Sequence, residues 1–236
     1  MDSTQRTARV AGLLYLLVGV TSAFSLMYVP STLIVRGDAT ATAHNIIASE
    51  LLFRIGIVSG LISQTSFIFL VLALYHLLKG VNNKYALLMV ALAAVSVPIV
   101  LLNMLNQFAA LILLSGPNFL SAFEKSQLDA LVMVFLSLYN HGIFVAEIFW
   151  GLWLFPFGVL VFKSGFLPRI LGILLIINCF AYLAISFTSL LLPDYRHIVS
   201  QVMLVPEAIG ELSIIFWLLI KGAKVQPLED QASRSG

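Results

Sequence analysis

Residues 166–192 read FLPRILGILLIINCFAYLAISFTSLLL, with a single charge, Arg169, near one edge of the run. A helix rises about 1.5 Å per residue, so about 20 such residues cross a hydrocarbon core about 30 Å thick. Five further stretches share this character, at roughly 10–29, 51–78, 86–115, 130–162 and 199–220. They are continuous apolar runs rather than ten-residue alternations, which argues against the strands of a barrel. With no water to satisfy loose backbone groups, helices are the remaining way across. The expected fold is therefore all-α, an integral membrane bundle of six transmembrane helices. It forms a single domain over 1–224, and a polar tail over 225–236 is expected to be disordered.

Composition agrees. Of the 236 residues, 60% are hydrophobic and 10% charged, against about 45–50% and about 25% in soluble domains. A water-soluble globule of this size would leave much of that apolar surface wet. The net charge of +2 comes with no basic run, so nucleic acid is not an expected partner; membrane lipids are. Cys179 is the only cysteine, which rules out an internal disulfide. Neither a Cys/His finger spacing nor a glycine-rich phosphate loop occurs. No cofactor, metal or oligomeric state is identified by the sequence.

Lysine and arginine set the expected orientation. Arg6, Arg9, Lys79, Lys84, Lys163, Arg169, Lys221, Lys224 and Arg234 fall on one side, and Arg36, Arg54, Lys125 and Arg196 on the other. The bias places both termini in the cytoplasm of a multi-pass protein of the inner (plasma) membrane. Thr21-Ser22-Ala23 resembles a signal-peptidase site, but apolar residues continue to Val29, which is spanning length. Asp38 is a plausible N-cap, from which one helix is expected to run to Leu78 with 39–52 outside the bilayer. The third and fourth stretches are also longer than a membrane needs and are expected to project or tilt.

Depth can be ranked by counting from Lys79, Lys84, Lys163 and Lys221 at about 1.5 Å per residue. Arg54, Asn103, Gln107, Asn140 and His141 fall about 28–38 Å above that boundary, near the outer interface. Gln64, Glu147, Glu207 and Glu211 fall about 15–24 Å above it, Asn178 about 13 Å and His76 about 5 Å. Glu207 and Glu211 are four apart and share a helix face. Pro206, just before them, is expected to bend the helix. Asn140 and Glu147 share a face of the fourth helix, with His141 about 100° round from Asn140. Asn103, Asn106 and Gln107 make one polar patch.

An ionisable group at a helix centre costs at least about 2.5–3.5 kcal/mol, so it normally faces the protein interior and has a partner. The candidate ligand-binding set is accordingly Arg54, Asn103, Gln107, Asn140, His141, Glu147, Glu207 and Glu211. Carboxylates with one imidazole would suit zinc, manganese or iron, and a metal would activate water for hydrolysis. Yet His141 and Glu147 lie on different faces, and no His-x-x-x-His spacing supports them. The structural alternative has each glutamate protonated or paired, holding helices in register. Arg54 can pair inward or snorkel. Asn103, Asn106 and Gln107 can equally serve as interhelical glue. A haem on His76 and His141 fails on depth, since they are about 28 Å apart along the helix direction. Ser59 and Ser63 lack the Gly-x-Ser pattern of intramembrane serine proteases.

The run from Phe149 through Trp150, Gly151, Trp153 and Pro156 to Gly158, followed by Ser164-Gly165-Phe166-Leu167-Pro168-Arg169, resembles a bacterial family of polytopic membrane proteins. That family is known as domain of unknown function 4386. Leu52-Phe53-Arg54 and Ala86 fit the same pattern, and the similarity covers roughly 8–222. The resemblance implies a prokaryotic inner-membrane protein of six or seven helices and brings no assigned site residues. Physically, Gly151 and Gly158 share a face that permits close helix approach. Pro156 is expected to bend that helix, and Pro168 opens the next one.

Three functions stay open. One is a binder of a small molecule, lipid or cation in an outward-facing polar pocket, transporter-like or sensor-like. Another is an integral-membrane enzyme acting on a lipid or other hydrophobic substrate, with a metal or without. The third is a structural or partner-binding protein.

Overall fold

The computed structural model describes residues 3–116 and 118–223. Every regular element among them is helical. The chain runs through α1 (Ser3–Ala23), a π turn (Phe24–Tyr28), α2 (Val29–Leu33), α3 (Ala39–Ala48), α4 (Glu50–Leu78) and α5 (Asn83–Asn103). It continues through α6 (Leu105–Leu114), α7 (Lys125–Lys163), α8 (Arg169–Leu191) and α9 (Arg196–Ile220). Short 3-10 turns at Asn118–Leu120 and Pro193–Tyr195 complete the path. Six segments are long and apolar enough to cross a membrane: Thr4–Leu33, Glu50–Leu78, Asn83–Leu114, Lys125–Lys163, Arg169–Leu191 and Pro193–Ile220. The all-α, six-span reading of the sequence holds. Lys224, Arg234 and the expected tail over 225–236 lie outside the described residues.

Local chemistry explains where the helices break. The first span widens into the π turn just before Pro30, with the Val29 N–H bonded to the Phe24 carbonyl five residues back. Proline has no N–H to offer and crowds the carbonyl four residues before it, and one extra residue in the turn relieves both. Asp38 caps α3 as expected, its Oδ1 accepting from the Ala41 N–H at 2.8 Å. Thr42 accepts from the Val35 N–H (3.0 Å) and donates to the Asp38 carbonyl (2.8 Å), tying α3 to the turn before it.

The single helix expected from Asp38 to Leu78 is instead two. Ser49 leaves helical geometry (φ −129°, ψ 41°) between α3 and α4, at a residue type whose hydroxyl competes for backbone hydrogen bonds. The third span is likewise interrupted at Met104. There the Asn106 side chain donates to the Asn103 carbonyl at 3.0 Å, and the Gln107 N–H turns to the Met104 carbonyl at 3.0 Å. α7 and α9 run unbroken through Pro156 and Pro206. α7 is 39 residues long, about 58 Å at helical rise, well over a hydrocarbon thickness.

The chain groups into two compact units, one from residues 3–16, 68–94 and 147–223, the other from 17–67 and 95–146. In the first, glycines set the helix spacing. A Cβ on Gly158 would sit 2.7 Å from the Gly172 carbonyl oxygen, and one on Gly151 would sit 3.0 Å from that of Cys179. Only residues without side chains let α7 and α8 approach so closely. Trp153 stacks on Phe157 (centroids 5.4 Å) and meets Tyr15 at 6.1 Å. In the second unit, Leu33, Ile46, Phe53, Ile57, Leu111 and Leu136 belong to one buried apolar cluster. There Ser22 and Ser63 share a 2.6 Å hydrogen bond, and Ser59 donates to the Thr21 carbonyl at 3.0 Å.

Candidate functional site

Three of the expected acids lie in the first unit, together with a polar ladder on α8. Asn178, Tyr182, Ser186 and Ser189 recur at spacings of four, four and three, which keeps them on one helix face. α8 and α9, joined by the short turn at Pro193–Tyr195, are antiparallel neighbours. Asn178 is fully buried and donates from Nδ2 to the Glu207 backbone carbonyl at 3.0 Å. Gly210 makes room for it, since a Cβ there would fall 2.6 Å from the Asn178 amide nitrogen. One turn along, the Tyr182 hydroxyl donates to Glu211 Oε1 at 3.0 Å. The buried Tyr15 hydroxyl lies beside Glu211 without a partner at hydrogen-bonding distance.

Glu147 on α7 faces the Ser186 hydroxyl and the charge of Arg196 at the start of α9. Glu207 lies within electrostatic reach of both Glu211 and Glu147. The group is short of donors. Glu147 Oε2, Glu207 Oε1 and Asn178 Oδ1 are shut off from solvent with no hydrogen bond. Such acceptors invite something that brings donors or positive charge. Among the described residues no group of three or more His, Cys, Asp or Glu is placed to hold a metal ion.

The other five expected site residues lie in the second unit. Asn103 donates to the Tyr139 carbonyl at 2.7 Å, while Asn106 Nδ2 also reaches Asn103 Oδ1 at 3.0 Å. The Asn103 side chain packs where Gly142 has no Cβ. Gln107 and Asn140 line one small cavity with Tyr139. His141 is exposed, its Nδ1 at 2.8 Å from the Ser137 carbonyl of its own helix, and its ring meets Phe144 edge-on at 5.6 Å. Arg54 pairs with Glu50 on its own helix (2.6 Å), both half exposed.

Sequence reasoning left Tyr15, Asn178, Tyr182 and Ser186 out of the candidate set. For three of them a signal was there to read: the four-residue ladder on α8 matches the Glu207–Glu211 step on α9. Tyr15 carried no such signal, since it is one aromatic in an apolar helix.

Residues 10–222 match the family described as domain of unknown function 4386. No curated protein and no solved structure matches the chain. With nearly its whole length covered, the chain belongs to that family.

Proposed function

We propose that this membrane protein binds a small cation within its transmembrane region, in a transporter-like or sensor-like role. Glu147, Glu207 and Glu211 supply the negative charge, and Asn178, Tyr182 and Ser186 supply neutral partners. The observation that carries this reading is the pair of carboxylate oxygens, Glu147 Oε2 and Glu207 Oε1, buried without hydrogen bonds. A buried acceptor left unmet costs about 1–3 kcal/mol, and more when charged. Acids inside a membrane span tend to mark ion or substrate paths for the same reason. The lysine and arginine bias supports cytoplasmic termini in the inner membrane. His141, on which an enzymatic reading turns, is exposed and held by its own helix.

The test is thermal unfolding of the detergent-purified chain titrated with sodium, calcium or ethylammonium chloride, with choline chloride as the ionic-strength control. A ligand that binds only the folded state raises Tm with concentration. One of the three cations should do so in the wild type and fail to do so in Glu207→Gln. If all three leave Tm where choline leaves it, the acids hold helices in register and the cation reading falls.

A further inference from the structure

One end of the first unit carries positive charge with nothing to balance it. Lys84 stands in the first turn of α5, Lys163 ends α7 and Arg169 begins α8. All three are exposed. Lys163 Nζ lies 5.8 Å from the Tyr85 ring centroid, and the Arg169 guanidinium 5.6 Å from that of Phe162. These contacts draw the ends of α5, α7 and α8 to one level. A ring face steadies a cation without neutralising it, so the N–H donors stay open to an anion. No aspartate or glutamate occurs in 68–94 or from 148 to 193. Among the described residues no ion pair engages these three cations.

Beside the cations the surface is apolar and open. Ile173 and Phe180 follow Arg169 at spacings of four and seven, on one face of α8. Phe155 lies two turns from Phe162 on the same face of α7. All four apolar side chains are exposed, and the packing of Arg169 on Phe162 makes the two stripes border one groove. From Arg169 to Phe180 it runs about 16 Å, the depth of one leaflet of a hydrocarbon core about 30 Å thick. The cations stand where these spans end, the level at which a phospholipid carries its phosphate. Charge then selects the head group. A zwitterionic one brings a cation to a rim with no acid to receive it, whereas an anionic one meets only attraction. We infer that an anionic phospholipid of the phosphatidylglycerol class docks here. Its phosphate rests on Lys163 and Arg169, with Lys84 beside them, and an acyl chain follows Phe162, Ile173 and Phe180. Glu147 is about 24 Å back along α7 from Lys163, so this site is separate from the carboxylates.

The experiment is native mass spectrometry of the full detergent-purified chain, titrated in parallel with phosphatidylglycerol and phosphatidylcholine of the same acyl chains. One phosphatidylglycerol should bind per chain about 25-fold tighter than phosphatidylcholine, fivefold for each of the two cations on the phosphate. Arg169→Gln and Lys163→Gln should each weaken phosphatidylglycerol about fivefold and leave phosphatidylcholine unchanged. Equal affinities in the wild type overturn the inference. So does a preference that survives both substitutions, because charge elsewhere would then carry it. Displacement of the lipid by an equal concentration of free glycerol phosphate would overturn it too, by showing a site for soluble phosphate. Should either variant fail to fold, Lys84→Gln, in the exposed first turn of α5, is read in its place.

Discussion

The Tyr182 hydroxyl meets Glu211 Oε1 at 3.0 Å across the α8–α9 pair. The two helices are antiparallel, and helical side chains lean toward the N-terminus of their own helix. Tyr182 and Glu211 therefore reach toward each other from different levels, and the hydrogen bond closes between their tips. Interhelical hydrogen bonds in membranes average about 0.6 kcal/mol and reach about 1.7. Tyr182→Phe should lower stability by about 1 kcal/mol on that scale. In a cycle with Glu211→Gln, read by denaturant or thermal unfolding, the two changes should couple. Strict additivity would mean that the contact holds nothing.

The glycine contact between α7 and α8 predicts a sharp contrast. Gly158→Ala places a methyl 2.7 Å from the Gly172 carbonyl oxygen, where the obstacle is backbone. Forcing the helices apart should cost about 1–3 kcal/mol, the usual range for overpacking. Gly80→Ala, where a Cβ meets nothing within 4 Å, should be close to neutral. Unfolding midpoints of the two variants, measured side by side, check this; equal midpoints would contradict the packing.

Asn178 and Gly210 form a lock whose halves can be removed in turn. Gly210→Ala alone drives a methyl into the Asn178 amide and should weaken both stability and the proposed cation binding. Adding Asn178→Ala should recover part of the lost stability, because neighbours sharing one space are not additive. It should not recover cation binding, since the Asn178 carbonyl oxygen is then gone. Tm with and without cation separates the two effects.

Orientation can be read by labelling single cysteines in a Cys179→Ala background. Ser121→Cys, in the exposed turn before α7, should react with a membrane-impermeant maleimide added to intact cells. Gly80→Cys, in the turn between α4 and α5, should react only after permeabilisation. The reverse pattern would invert the proposed topology.

Much of the fold was readable because lipid imposes a simple rule. Runs such as 166–192 must be helical, since nothing else satisfies their backbone in hydrocarbon. The Asp38 cap was readable as a local rule of chain chemistry. The breaks at Ser49 and Met104 were not. At Met104 the cause is a side-chain hydrogen bond from Asn106 that apolar periodicity does not encode. Arg54 shows the same limit: its nearest acid, Glu50, sits four residues back on its own helix, while the sequence left inward pairing and snorkelling open.

The sequence by itself determined the solvent, the six spans, and the fact that acids and amides lie within them. Those follow from counting charges and apolar residues against the thickness of a bilayer. Only the tertiary structure decided which polar groups meet. Asn178 reaches the Glu207 carbonyl, and Tyr182 reaches Glu211, because α8 and α9 pack as antiparallel neighbours and α9 yields space at Gly210. Helix period places a residue on a face. The rotation and separation of packed helices, set by side-chain volume at the contact, decide what that face touches.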